Sequence, residues 1–184
     1  MGNADALHID DKELIQQQIK EWFTSRKKIT DELFTRSLSL VKEQTGSTSL
    51  PLMLLKLGQV SAEDLAICLA EITQLRKVSF EDFPAESACD NLIAENFLKQ
   101  HSVIPLAFSN NILTLAMLDP SDHFVVKSTK LASGAERVDP VVISKTDLDT
   151  LYDQFYGDGQ SQLGKIADQI EESSNNSDAD VEQL

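Results

Sequence analysis

The first 75 residues carry apolar side chains at the three- and four-residue spacing of amphipathic helices. From Asp11 onward, one face of the predicted first helix holds an apolar stripe: Leu14, Ile15, Ile19, Trp22 and Phe23. Three further helices are predicted to begin at residues that favour helix N-termini, namely Thr30 or Asp31, Ser49 and Ser61. The pattern therefore indicates a helical N-terminal part.

The second part of the chain consists of short apolar runs separated by turn residues, which is typical of strands. Residues 103–108 and 112–117 are two such runs, and Asn110-Asn111 between them tolerates the positive φ angles of a tight hairpin turn. A third strand is predicted over 138–143. A helix over 122–132 would then join the second and third of these strands in a right-handed crossover.

These elements predict an α+β fold, with an N-terminal helical subdomain over 11–75 and a small mixed sheet with flanking helices over 76–157. Further elements are expected in the second subdomain: a short strand at 77–80, a helix over 88–99, and a last helix capped by Thr146 and ending near Tyr156. Residues 1–10 are polar and are predicted to be disordered. Residues 158–184 are rich in Ser, Asn and Asp and are predicted to be an acidic flexible linker with an amphipathic turn at Leu163, Ile166 and Ile170.

An ordered set of short motifs runs through residues 50–157. Upstream stands the stretch Leu55-Lys56-Leu57-Gly58-Gln59-Val60-Ser61-Ala62-Glu63-Asp64-Leu65-Ala66. The later motifs are Phe97-Leu98, Pro105-Leu106, Leu115-Ala116-Met117-Leu118-Asp119-Pro120-Ser121-Asp122, Ser133-Gly134, Val138-Asp139-Pro140-Val141 and Phe155-Tyr156. The set resembles the N-terminal domain of the ATPases that power bacterial type II secretion and type IV pilus assembly, and the type II secretion ATPase looks most similar.

The resemblance implies a non-catalytic adaptor that docks a cytoplasmic motor to the cytoplasmic domain of its inner-membrane anchor protein. The expected location is cytoplasmic and peripheral to the inner membrane. The resemblance also implies that this chain is monomeric, that the parent ATPase is hexameric, and that an ATPase domain using ATP and Mg follows Leu184. A standalone adaptor without any ATPase is a further possibility.

Charge narrows the choice of partners. The chain has a net charge of −14, and residues 158–184 alone carry seven acidic side chains against one lysine, Lys165. Nucleic acids and anionic membrane surfaces both require a basic face, so neither is expected as a ligand. The sequence also has no apolar stretch of 18 residues, so direct membrane insertion is not expected either. A partner with a basic patch would suit this chain.

The sequence shows no sign of an active site. It lacks the GxxxxGK[ST] loop that cradles phosphates, so no catalysis and no cofactor are expected in this chain. His8, His101 and His123 stand in unrelated segments without the spacing of metal ligands, so no metal site is expected. Cys68 and Cys89 are predicted to be reduced.

Some relatives in this family bind cyclic di-GMP through two tandem copies of a motif that contains an arginine, two glycines and a glutamine. The alternative function is therefore a cyclic di-GMP-sensing regulatory domain. The second copy aligns over residues 49–72, where the apolar frame and Gly58 remain. However, Ser49, Pro51 and Ile72 replace the arginine, the first glycine and the glutamine. The first copy departs further, with Gln18, Lys20 and Lys27 at its arginine and glycine positions.

The first helix is the expected docking element, since amphipathic helices commonly bind partners by an apolar edge. The residues predicted to contact the partner are Ile19, Trp22, Phe23 and Arg26. Trp22 and Phe23 are adjacent, so one helix cannot direct both side chains to the same point. Burial of both in the core is the alternative interpretation.

Overall fold

The computed structural model describes residues 9–44, 48–87, 89 and 92–157, with only the backbone described for residues 9–11. The helices are α1 (Ile9–Ser25), α2 (Asp31–Glu43), α3 (Leu50–Lys56), α4 (Ala62–Thr73), α5 (Glu95–His101), α6 (His123–Ser133) and α7 (Lys145–Tyr156). The strands are β1 (Lys77–Val78), β2 (Val103–Ser109), β3 (Ile112–Met117) and β4 (Arg137–Ile143). A short 3-10 helix, Phe80–Asp82, follows β1. The predicted α+β class is confirmed.

The four strands form one mixed sheet in the order β1-β4-β3-β2. β2 and β3 pair antiparallel as a hairpin, whereas β4 runs parallel to both β3 and β1. The parallel pairing of β3 with β4 confirms that α6 serves as the connection between parallel strands, as the sequence pattern predicted.

The hairpin turn follows from its two asparagines. Asn110 and Asn111 have φ angles of 51° and 58°, which is the left-handed region that a type I′ turn needs at both central positions. The Asn111 carbonyl also accepts hydrogen bonds from the backbone amides of Glu136 (2.8 Å) and Arg137 (3.4 Å). The turn therefore fixes where β4 begins as well as the register of β2 on β3.

Helix starts follow the capping residues closely. Thr30, Ser61 and Asp122 each accept a hydrogen bond from the backbone amide three residues later, which satisfies an amide that the helix itself leaves unpaired. At α7 the prediction of Thr146 was wrong, because the Ser144 side chain accepts from the Asp147 amide and the helix begins at Lys145.

Other predicted boundaries also differ from the structure: β1 ends at Val78 rather than at residue 80, because Phe80–Asp82 form a 3-10 helix. α1 begins at Ile9, two residues before the predicted start, and residues 1–8 lie outside the described part. The helix predicted over 88–99 begins only at Glu95, because Ala94 has an extended backbone (ψ 132°) and Leu92 forms a turn onto the Cys89 carbonyl instead. The predicted linker over 158–184, including its amphipathic turn, also lies outside the described residues.

Three apolar clusters hold the fold together. The first joins the helices of the N-terminal part, and it also includes Val142 of β4. The other two are built on the sheet, one with α5 and α6 and the other with α7. Buried residues of α4, including Leu65 and Leu69, lie in the first cluster, so α4 is packed against both α1 and the strand that carries Val142.

We predict that the Asn111 position controls the stability of the hairpin. Asn111→Val should destabilise the fold by about 1–2 kcal/mol, since a β-branched residue is strained at positive φ, whereas Asn111→Gly should be neutral or stabilising. Urea unfolding measures both free energies. Ser109→Val, at a strand position with ordinary φ, is the control and should change stability by less than ~0.5 kcal/mol. Equal stability of the two Asn111 variants would contradict the assignment of the turn.

Candidate partner-binding site

Two of the four residues predicted to contact a partner are buried. Ile19 and Phe23, four residues apart on α1, lie in the first cluster with almost no exposed surface. They hold α1 against α4, so they cannot themselves touch a partner while α1 stays packed. Any direct contact from the predicted set is left to Trp22 and Arg26.

Trp22 lies half-buried at the edge of the contact between α1 and α4. Its indole Nε1 donates a 2.6 Å hydrogen bond to the Glu71 carboxylate on α4. The guanidinium carbon of Arg26 lies 4.0 Å from the centre of the Trp22 ring, within cation–π distance. Arg26 also approaches the same carboxylate, with 3.6 Å between Nη2 and Oε2. Trp22, Arg26 and Glu71 therefore form one polar cluster, the Trp22 cluster.

The Trp22 cluster is a surface feature rather than a buried ion pair. The side chains of Arg26 and Glu71 keep 45% and 53% of their surface exposed. Exposed ion pairs contribute little to stability, so the cluster chiefly fixes the orientation of the ring and the guanidinium. α1 additionally exposes Leu14, at 53%. The exposed edge of the contact between α1 and α4 thus offers an ordered aromatic ring and a cation, and Leu14 is a separate exposed apolar side chain of α1.

A second polar contact ties the end of α1 to the start of α4. The Lys28 ammonium lies 2.5 Å from the Asp64 carboxylate, and this bond holds the pKa of Asp64 below its ordinary value, with the Ser61 hydroxyl adding to the effect against the opposing effect of burial. Because the folded pKa is depressed, the contribution to stability is present above the ordinary carboxyl pKa. It is lost as the pH falls through the lowered value.

Cys68 lies on the buried face of α4. It belongs to the first cluster, and burial raises the pKa of its thiol to about 12, with the nearby Glu71 carboxylate adding to the effect. A thiol with such a pKa stays protonated at neutral pH and is a poor nucleophile. Cys68 is therefore a packing residue in this fold.

One position of the cyclic di-GMP motif, Ser49, lies beside a small polar pocket. Ser49, at the position of the arginine in binding relatives, caps α3 without a side-chain cap bond, and its buried hydroxyl has no hydrogen-bond partner among the described residues. His101, Asp119 and Asp122 also line the pocket. Its volume of about 10 Å³ has room for roughly one water molecule.

Within the described residues, no group of three or more His, Cys, Asp or Glu side chains is placed to hold a metal ion. None of the described helices is both long and apolar enough to cross a membrane.

The role of Glu71 could not be read from the sequence. It lies 49 residues from Trp22 along the chain, on a helix whose other face is buried, and nothing local distinguishes it from other surface glutamates. Only the packing of α1 across α4 brings the two together. From the sequence, the nearest approach would be to search for an acidic side chain that accepts a hydrogen bond from the single tryptophan.

Comparison with known families identifies a domain over about half of the chain. Residues 70–162 match the model of the MshEN domain. The chain is 28% identical over 173 residues to the type II secretion system protein E of Xanthomonas campestris pv. campestris, which covers 92% of this chain and 30% of that protein. It is 25% identical over 134 residues to the type IV pilus assembly ATPase PilB of Myxococcus xanthus, covering 71% of this chain and 24% of PilB. The chain thus spans less than a third of these relatives.

Solved structures agree in fold. The N-terminal domain of XpsE matches with a TM-score of 0.63 at 25% identity, covering 78% of this chain and 96% of that domain. The structure of MshE with cdg matches with a TM-score of 0.55 at 18% identity, covering 75% of this chain and 98% of the other, and this shows the fold alone.

We predict that Glu71 sets the environment of Trp22. Glu71→Ala should destabilise the protein by about 0.5–1.5 kcal/mol, since it removes an acceptor and an exposed ion pair, and should shift Trp22 fluorescence to longer wavelength. Glu71→Gln keeps an acceptor for the indole and should largely restore the emission. Glu43→Ala, an exposed glutamate on α2, is the control. Unchanged emission in Glu71→Ala would contradict the hydrogen bond.

Proposed function

The chain belongs to the MshEN domain family, and from this premise we propose that it is a non-catalytic adaptor domain of a type II secretion ATPase. In this proposal it docks the motor to the cytoplasmic domain of the inner-membrane anchor protein. The proposal rests on the similarity to type II secretion system protein E over 92% of this chain, together with the likeness to the N-terminal domain of XpsE. The relatives are secretion and pilus ATPases, whereas this chain lacks a GxxxxGK[ST] loop.

The exposed edge of the contact between α1 and α4, formed by the Trp22 cluster, is the proposed docking surface. Trp22 and Arg26 are held in a fixed orientation by Glu71, so they would lose little side-chain entropy on binding. Trp and Arg are also the residue types most often found at the energetic centres of interfaces. Ile19 and Phe23 support the proposal indirectly, because their burial keeps α1 in place.

The remaining features of the proposal concern the parent protein. It would carry an ATP- and Mg-dependent motor domain, would act as a hexamer, and would sit at the cytoplasmic side of the inner membrane through its partner. This chain would contribute a monomeric adaptor. The acidic balance of the chain, −14 overall, favours a basic patch on the partner.

The alternative function is the sensing of cyclic di-GMP, and the geometry of this chain favours it less. Ser49 offers one hydroxyl where binding relatives have an arginine, and Pro51 is buried in the first turn of α3 where they have a glycine. A charged hydrogen bond contributes about 1.5–3 kcal/mol, so the loss of the arginine fork removes much of the affinity for phosphate. Saturable binding of cyclic di-GMP to this chain at low micromolar concentration would favour the alternative.

We predict that Arg26 contributes to anchor binding. Arg26→Gln should weaken binding to the cytoplasmic domain of the anchor by about tenfold, or ~1.4 kcal/mol, because it removes the planar guanidinium that packs on the Trp22 ring at the proposed interface. Titration calorimetry with the purified anchor domain measures the change. Deletion of residues 1–28 is a poorer test than substitution, since it would also remove Ile19 and Phe23 from the core.

The matched control is Lys42→Gln, which removes one positive charge from the last turn of α2. Circular dichroism and Trp22 fluorescence should show that both variants remain folded. Binding by Arg26→Gln at the affinity of the unmodified chain would exclude this surface as the docking site. Equal weakening by Arg26→Gln and Lys42→Gln would show that only overall charge matters.

A further inference from the structure

α5 and α6 together present an apolar strip at the surface. On α6, Phe124 and Leu131 are 67% and 84% exposed, and their seven-residue spacing places them about two turns apart on the same side of the helix. The ring centre of Phe124 lies 6.2 Å from that of His101 on α5, and the His101 ring lies 4.5 Å from that of Phe97. The side chains of Phe97, His101, Phe124 and Leu131 form what we call the α5–α6 strip.

The packing of α6 against the sheet does not use this strip. Val125 and Thr129 are the buried side chains of α6. At about 100° of rotation per residue, they lie on a different side of the helix from Phe124 and Leu131. Single exposed apolar side chains are ordinary in soluble proteins, whereas a contiguous apolar strip is typical of an interaction surface. The α5–α6 strip is therefore available to a ligand.

The charge beside the strip is positive. Lys127 lies between Phe124 and Leu131 along the helix, Lys130 precedes Leu131, and both lysines are exposed. α6 has no acidic residue. Neither lysine forms an ion pair with a described residue, whereas eight of the other described basic side chains do. A complementary ligand is apolar where it covers Phe124 and Leu131 and acidic where it meets the two lysines.

The overall charge of the chain favours a narrow ligand. The net charge is −14, so an extended anionic surface such as a membrane would face mostly like charge. Exposed charges are largely screened beyond ~8 Å at physiological ionic strength, so a narrow acidic segment lying on α6 would interact chiefly with Lys127 and Lys130. An α-helix is about 10–12 Å across, and its own seven-residue apolar repeat matches the spacing of Phe124 and Leu131.

We propose that the α5–α6 strip binds an acidic amphipathic helix of another protein. Apolar side chains of that helix cover Phe124 and Leu131, and carboxylates beside them pair with Lys127 and Lys130. Burial of the apolar surface drives the association, and the opposite charges set its orientation. The Trp22 cluster lies on α1 and α4, so this site is separate from the docking surface proposed above for the anchor protein.

A synthetic helix tests the apolar part of the proposal on the whole chain. The probe is a stapled peptide of two heptads with leucine at the a and d positions and glutamate at the e and g positions, and titration calorimetry measures its affinity. Leu131→Gln should weaken binding about tenfold, because it removes an apolar contact at the centre of the interface. Leu14→Gln, at an exposed leucine of α1, is the matched control and should leave the affinity unchanged. Arg26→Gln should also leave it unchanged, which separates this site from the Trp22 cluster.

A charge exchange tests the polar part. Lys127→Glu/Lys130→Glu should abolish binding of the glutamate peptide and should create binding of a peptide with lysine at the same positions. Lys42→Glu/Lys56→Glu makes the same change of net charge in the last turns of α2 and α3. This control should change either affinity by less than about twofold, since distant exposed charges are screened. Circular dichroism should show that every variant remains folded.

Several results would overturn the proposal. The first is the absence of saturable binding of the glutamate peptide, and the second is equal affinity of that peptide for the unmodified chain and for Leu131→Gln. Cosedimentation with phosphatidylglycerol vesicles that is lost in Leu131→Gln would assign the strip to a membrane surface instead. A sedimentation coefficient that rises with protein concentration in the unmodified chain, but not in Leu131→Gln, would assign it to a second copy of this chain.

Discussion

The buried face of α4 is the contact on which the rest of the fold depends. Leu65, Ala66, Cys68 and Leu69 lie in the same cluster as Ile19 and Phe23 of α1 and as Val142 of β4. α4 also contacts α7, so it joins the N-terminal helices to both the sheet and the last helix. Separating the helices from the sheet would expose these buried apolar side chains to water. The free-energy cost is large, since each buried leucine contributes about 1.5–3 kcal/mol to stability.

The proposed adaptor role rests on the ordered surface at the edge of the contact between α1 and α4. α1 is held by its own buried residues, and the Trp22 cluster orients the two predicted contact residues that remain at the surface. Two groups of the described residues have structural roles: the Cys68 thiol is buried with its pKa raised, and Asp122 caps α6.

The sequence predicted the features that depend on neighbouring residues. Asn110-Asn111 specifies the hairpin because both positions need positive φ, and Thr30, Ser61 and Asp122 specify helix starts because their side chains accept nearby amides. Features that depend on distant residues were missed. The place of Val142 in the helical core, the bond from Trp22 to Glu71 and the exposure of Phe124 on α6 arise only from packing between elements. The domain boundary at residue 75 remains a prediction.

Thiol labelling in denaturant tests directly whether α4 makes the helices and the sheet one cooperative unit. Cys68 is buried in the helical cluster and Cys89 in a cluster on the sheet, so each reports on one part. Labelling of both thiols should follow a single denaturant midpoint, coincident with the loss of circular dichroism. Labelling of Cys68 at clearly lower denaturant than Cys89 would show that the helices detach first, which would contradict the account.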